Sequence, residues 1–400
     1  MTNKERVSKI VDRLAPELRK LALDIHDNPE LGLQEYKACA WQKELLGRYG
    51  FAIEENFCDI ETSYKAVYKG RKPGPKIAFL AEYDAPPELG HGCGHNLIAM
   101  VSVGCGIACR EFADEYGAQI DVIGTPAEET AGTKVPMSAK GVFDGYDAVM
   151  MAHPAFANAE SINTIAMDAY KIEFFGRPAH AAAAPHEGIN ALDAMINFFN
   201  LVNAMRQQTK PDARIHGIIT DGGKAANVIP DYTAANFYIR ANRVADVKKL
   251  AERVRNCAAG AALGTGCTYK MKYNEENFKD TCTNKALNNL AVDNIQPFLS
   301  EPIYRLGDIH APGSSDLGDV SYEAPAIQVI FKIGEYPNPM GGGHTPEMAA
   351  AAGSEYGINN GLNFVKGLVM TAIELMTKPE ALAAVKEEFS HVNDEPVMQF

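Results

Sequence analysis

The segment His91-Gly92-Cys93-Gly94-His95 sets a thiol and an imidazole two residues apart, between glycines that permit tight backbone turns. Thiolate sulfur, imidazole nitrogen and carboxylate oxygen are the donors that hold zinc and similar divalent ions, and a hydrolytic site also keeps a position for water. Carboxylates occur in Gly124-Thr125-Pro126-Ala127-Glu128-Glu129-Thr130, and further imidazoles at His153 in Met150-Met151-Ala152-His153-Pro154 and at His344 in Gly341-Gly342-Gly343-His344-Thr345-Pro346. Of two adjacent carboxylates, one can bind metal while the other serves as general base, since neighbouring cations hold both ionised. Each feature also has a plainer reading. Cys-Gly-His can be a helix-start turn with a buried thiol, adjacent glutamates are usually solvated, and a histidine ending an apolar strand is often a hydrogen-bonded core residue. A three-glycine loop around His344 can be mere surface, and His91, in a Gly-His-Gly turn, stays outside the ligand set.

Something must bring these residues together, and the apolar periodicity indicates what. Val7, Ile10, Val11, Leu14, Leu18, Leu21 and Ile25 recur at three- and four-residue steps, so an amphipathic helix opens the chain, and a second covers residues 36–49. Strand-like runs follow at 64–68, 76–82, 119–125 and 148–153, with an apolar helix over 97–112. Strands buried on both faces and separated by helices make a largely parallel sheet, whose ligand crevice lies at the strands' C-terminal ends. Three of these strands end in Glu82-Tyr83-Asp84, Glu128-Glu129 and His153. From about residue 170 the order becomes strand (170–175), helix (191–207), strands (214–220 and 233–241), helix (244–259) and strand (268–273), the pattern of an antiparallel α+β insertion. The expected fold is α/β: a mostly parallel-sheet catalytic domain over 1–169 and 285–400, interrupted by a ferredoxin-like α+β lid domain over 170–284. Helix 284–298, strand 326–331 and helix 356–376 complete the first domain. Gly104-Cys105-Gly106 lacks the third glycine of a dinucleotide fingerprint and reads as helix packing.

Composition narrows the class. A chain of 400 residues with 46% hydrophobic and 22% charged residues forms two ordinary globular domains. A formal charge of −13 without a basic cluster opposes nucleic acid as a partner. The first residues lack a signal peptide's apolar core, and no run reaches the roughly 18 apolar residues of a membrane helix, so a cytoplasmic location without a membrane partner is expected. Eight scattered cysteines then read as reduced thiols. No Gly-x-Ser-x-Gly elbow or phosphate loop is present, which removes support for serine hydrolase and nucleotidase chemistry.

Taken together, the chain resembles the M20 metallopeptidase family, in particular its aminoacylase and amidohydrolase branch with the aminobenzoyl-glutamate hydrolases and M20-domain dipeptidases. The resemblance runs through His26-Asp27-Asn28-Pro29-Glu30-Leu31-Gly32 with Glu35, Glu82-Tyr83-Asp84-Ala85, Gly90 to Asn96, Pro126-Ala127-Glu128-Glu129, and Gly176-Arg177-Pro178-Ala179-His180-Ala181. It implies that Cys93, His95, Glu129, His153 and His344 hold two divalent ions per protomer, with Cys93 bridging. Zinc or manganese is expected, and cobalt is also accepted by such ligand sets. It further implies that Glu128 is the general base, taking a proton from water and passing it to the departing amine, and that Asp84 orients an imidazole, His95 being the first candidate. For the lid, the resemblance implies an oxyanion-stabilising role for His216, substrate binding by Asn227, Arg240 and His180, and a homodimer formed through the lids.

The chain departs from the peptidase-like members in carrying Glu82-Tyr83-Asp84 where they carry His-x-Asp, and Asn96 where many relatives in this branch carry aspartate. The resulting expectation is a metal-dependent amidohydrolase or peptidase acting on C–N bonds of linear amides, with an N-acyl amino acid or small dipeptide as substrate. The alternatives are a binding protein that keeps the fold without turnover and a metal-binding protein with a closed ligand shell. Retention of a base at Glu128 disfavours the first.

Overall fold

The three- and four-residue recurrence near the N-terminus folds into α1 (Asn3–His26), which starts with a capping box between Thr2 and Glu5 and buries Val7, Ile10, Val11, Leu14, Leu18, Leu21 and Ile25. A computed structural model describes residues 1–393 apart from 308, 312 and 340. The chain divides into a first unit of residues 1–163, 281–309 and 316–400 and a second of 164–280 with 310–315. The second unit thus begins six residues before the expected 170. Strand β6 starts at Ala166, and a buried Asp168, bonded by the Tyr170 hydroxyl, hides the strand's beginning in the sequence.

In the first unit, β1 (Ala52–Glu55), β2 (Tyr64–Lys69), β3 (Lys76–Ala81), β4 (Gln119–Gly124), β5 (Ala148–Ala155) and β10 (Ala326–Lys332) form one sheet in the order β1-β2-β4-β3-β5-β10. The β4-β3-β5-β10 part is parallel, and β1 and β2 extend it antiparallel. One face is covered by α1, α2 (Tyr36–Arg48), α3 (His95–Phe112), α7 (Lys285–Ile295) and α10 (Glu355–Thr377), whose apolar residues share one core with the sheet. The other face packs on a smaller cluster that includes Met137 of α4 (Lys134–Ala139) and Leu317 and Val320 of α8 (Leu317–Ser321). Helices α9 (Pro346–Ala352) and α11 (Pro379–Ser390) complete this unit.

Helix α3 is apolar around its whole circumference because it is enclosed. A Cβ at Gly104 would lie 2.9 Å from Leu18 Cδ1, and one at Gly106 only 2.3 Å from Val122 Cγ2, so the two glycines let the helix approach α1 and β4. The helical run His95–Gly117 is long and apolar enough to cross a membrane, which a count of uninterrupted apolar residues misses, yet 89% of the window is buried within the protein.

The second unit is an antiparallel sheet in the order β7-β8-β6-β9, formed by β6 (Ala166–Phe175), β7 (Arg214–Asp221), β8 (Tyr232–Ala241) and β9 (Thr268–Tyr273). It packs on α5 (Ala191–Met205) and α6 (Val244–Thr265) around Phe174, Phe198 and Phe237.

Candidate active site

The first unit gathers its chemistry where β3, β4 and β5 end. Strand β3 runs into Glu82-Tyr83-Asp84, β4 into the 125–130 loop, and β5 contains His153, while Cys93 and His95 stand at the start of α3 behind Gly94 in a left-handed turn (φ 74°). His344 joins them from the loop before α9, its amide donating to the Gly92 carbonyl at 2.9 Å. Gly92 leaves space here, since a Cβ on it would meet Leu89 Cδ2 at 2.3 Å and sit 3.6 Å from the His344 Cα.

Three groups of donors result, each with its ligand atoms within 4.8 Å of one another: Cys93, His95 and His153; Cys93, Glu129 and His344; His95, Glu128 and Glu129. Cys93 belongs to two of them. Its sulfur lies 3.6 Å from His153 Nε2, and His344 Nε2 lies 3.0 Å from Glu129 Oε1. The outer nitrogens are already engaged. His95 Nδ1 meets Asp84 Oδ1 at 2.9 Å and His153 Nδ1 meets the Pro154 carbonyl at 2.8 Å, so each ring turns Nε2 toward the cluster. Asp84 Oδ2 also accepts the Glu129 amide at 3.0 Å. His95 Nε2 and Glu82 Oε2 are 3.4 Å apart, both buried, and neither has a hydrogen-bond partner among the described residues. Unpartnered buried donors of this kind, around a thiolate and carboxylates, fit divalent cations.

The electrostatics are unusual for a protein interior. Burial opposes ionisation of Cys93, but the charges of His95 and His153 outweigh it and draw the thiol down to about 6. Hydrogen bonding to Cys93 and Glu129 carries His344 up to about 10. Burial, reinforced by the charges of Glu82 and Asp316, lifts Glu128 well above the ordinary carboxylate range. Sequence reasoning missed Lys134 and Asp316. Lys134 Nζ lies 2.6 Å from both Glu82 Oε1 and Asp316 Oδ1, and all three side chains are within 1% of complete burial. A lone lysine following Gly132-Thr133 carries no sequence signal of burial. His91 is engaged elsewhere, with Nε2 3.1 Å from the Ile25 carbonyl.

The second unit holds the remaining candidates in two places. Arg240 on β8 and His216 on β7 line a cavity of about 380 Å³ with Ile165, Asp212, Arg214, Asn242, His310 and Ala311. Arg240 Nε and His310 Nδ1 are buried there without partners among the described residues. His310 carries no signal in the sequence, because with Ala311 it lies far along the chain from the other lining residues and outside any motif. His180 and Asn227 are exposed neighbours of each other rather than part of this cavity: the Ala181 amide donates to the Asn227 carbonyl at 3.0 Å, and His180 Nδ1 accepts the Ala183 amide at 3.1 Å.

These features make a candidate divalent-metal centre on an α/β unit, and the second unit is α+β. Residues 166–265 match the model of the peptidase dimerisation domain of the M20 family. The chain is 34% identical to the Xaa-Arg dipeptidase of Mus musculus, over 96% of this chain and 92% of that one. It is 33% identical to one of the subunits of the p-aminobenzoyl-glutamate hydrolase of Escherichia coli, over 64% of this chain and 57% of the relative. Among solved structures it is similar to a dinuclear metal-binding M20 peptidase of Bacillus subtilis, with a TM-score of 0.67 at 19% identity over 90% of this chain and 98% of that one. The chain belongs to the M20 peptidase family and is a hydrolase of amide bonds.

Proposed function

We propose that the chain hydrolyses a linear amide whose amine side is an amino acid with a free carboxylate, a dipeptide or an N-acyl amino acid. The observation that carries this reading is the pair of donor groups sharing Cys93, with the partly buried Glu128 carboxylate beside His95 and Glu129. In it Cys93, His95 and His153 would hold one divalent ion and Cys93, Glu129 and His344 the other, with zinc or manganese as the expected metal. When bound, such ions acidify water and polarise the scissile carbonyl. Glu128 takes the proton from water and returns it to the leaving amine, and its buried setting favours holding that proton between the two events. Asp84 keeps His95 in one tautomer and ties the Glu129 backbone to the same carboxylate.

In the second unit Arg240 grips the substrate carboxylate, a task suited to a guanidinium with an unused buried donor. His216 supports the developing oxyanion, and Asn227 and His180 contact substrate. Similarity to a dipeptidase and to part of an aminobenzoyl-glutamate hydrolase supports the substrate type, since both names describe an amide to an amino acid. A homodimer is supported by the dimerisation-domain match and by exposed Ile218 and Ile219 on the edge strand β7, with Ile196 and Leu201 on α5. All eight cysteines are free thiols, which supports a reducing, cytoplasmic setting.

Glu128→Gln tests the reading. The variant is expected to bind Mn²⁺ like the parent while kcat on N-acyl amino acids and dipeptides falls by roughly 10²–10⁴-fold. Turnover equal to the parent's would refute the proposed base.

A further inference from the structure

The segment from the last residue of α1, His26, to Glu35 contributes no donor to the cluster, yet it reaches the loops that do. Its Glu30 carbonyl accepts the Ala85 amide at 2.9 Å, beside Asp84. Just upstream, the Ile25 carbonyl meets His91 Nε2 at 3.1 Å and the Ala22 carbonyl accepts Asn96 Nδ2 at 3.1 Å, on either side of Cys93 and His95. His26 Nε2 meets the Ala349 carbonyl at 3.0 Å, in the helix that follows His344.

The tightest of these attachments is to the loop carrying Glu128 and Glu129. Ala127 there has φ 59°, a left-handed conformation that an alanine rarely adopts without being held. Glu35, fully buried, accepts the Ala127 amide on Oε1 at 2.8 Å and the Thr62 hydroxyl on Oε2 at 2.8 Å. The Thr62 carbonyl in turn accepts the Tyr83 hydroxyl at 2.6 Å. One chain of hydrogen bonds therefore joins the end of β3, where Glu82 and Asp84 lie, to the turn after β4. Gly32 completes the contact, because a Cβ there would come within 2.2 Å of Thr130 Oγ1 and 2.9 Å of Ala127 Cβ. A buried carboxylate with one oxygen on a backbone amide in a strained turn is a costly arrangement unless the turn must be held in place.

We infer that Glu35 is a positioning residue for the metal centre: by holding Ala127 in its left-handed turn it aims Glu129 at the Cys93 and His344 donors and Glu128 at His95. This rests on the metal-centre reading above but not on Glu128 being the base. Glutamine at 35 can keep both contacts, with Oε1 on the Ala127 amide and Nε2 donating to the Thr62 hydroxyl, whereas alanine loses both.

The test is calorimetric titration of the metal-free 400-residue chain with Mn²⁺, followed by kinetics at saturating Mn²⁺. Glu35→Ala is expected to weaken Mn²⁺ binding by roughly 10–100-fold, the usual loss when support for a ligand is removed. It should also lower kcat with little change in KM, while Glu35→Gln stays near the parent in both. Parent-like Mn²⁺ affinity in Glu35→Ala overturns the inference, as does a folded Glu35→Gln as impaired as Glu35→Ala. If Glu35→Ala does not fold, Thr62→Val, which removes only the hydroxyl donor, takes its place: a severalfold loss of Mn²⁺ affinity supports the inference and no loss overturns it. Because the affinity readout does not involve turnover, full activity in Glu128→Gln would leave it standing.

Discussion

Lys134 and Glu82 form an ion pair of 2.6 Å in which neither side chain is more than 1% exposed. Glu82 puts a negative charge at the buried edge of the donor cluster, with Oε2 3.4 Å from His95 Nε2. The lysine, also paired with Asp316, balances that charge within the protein.

Removing the cation should leave two buried carboxylates uncompensated. Lys134→Met is expected to lose about 3–5 kcal/mol of stability, the usual cost of breaking a buried pair on one side. Urea unfolding at neutral pH reads the change, and an unaltered midpoint would show that the pair is dispensable.

Asp84 serves His95 and the Glu129 amide with its two oxygens. Asparagine can accept only one of these donors and turns its amide nitrogen on the other. Asp84→Asn should therefore weaken metal binding by roughly 10–100-fold while leaving the fold intact. Zn²⁺ competition against a chromophoric chelator, with circular dichroism as the control for folding, measures both parts.

The thiols differ sharply. Cys93, half-buried, is drawn down to about 6, whereas burial pushes Cys39 up to about 11 and carries Cys105 and Cys109 higher still. In metal-free protein a brief iodoacetamide pulse at pH 7.5 should label Cys93 first, because the thiolate is the reactive form and is populated above about pH 6. Labelling should fade as the pH is lowered through 6, and added Mn²⁺ should protect the thiol. Peptide mass spectrometry that finds Cys39 labelled ahead of Cys93 would contradict this ordering.

For Arg240, KM is the informative constant. Arg240→Ala should raise KM for a substrate with a free carboxylate by roughly 10–100-fold, the worth of a charge-assisted hydrogen-bonded pair. The same substrate as its carboxamide should be equally poor with parent and variant. An equal loss on both substrates would assign the arginine a role in packing instead.

Much of this architecture was legible from residue order alone. Buried parallel strands with polar residues at their ends, the three- and four-residue recurrence in α1 and short glycine-flanked motifs point to both the sheet and the cluster, because each signal is local. What escaped detection depends on distant partners. Strand β1 is short and mostly exposed, so Ala52-Ile53-Glu54-Glu55 shows no apolar alternation. The burial of Lys134 is set by Glu82 and Asp316, 52 and 182 residues away. Residues 310–315 join the second unit after the chain has already returned to the first, and no periodicity marks so short a return. Glu35 belongs to a recognisable motif, but its task is visible only once the φ of Ala127 is known.

The parallel pairing of β5 with β10 has a consequence for how the protein is made. About 170 residues, including the whole of the second unit, separate the two strands in the chain. At synthesis rates of roughly 5–20 residues per second, the edge of β5 leaves the ribosome roughly 10–30 s before its neighbour exists. During that interval Ala148-Val149-Met150-Met151-Ala152, buried in the finished sheet, presents an apolar open edge. The inserted unit, whose strands and helices are contiguous from β6 to β9, can mature first on the nascent chain. The host sheet must wait until β10 emerges before that edge of β5 is covered.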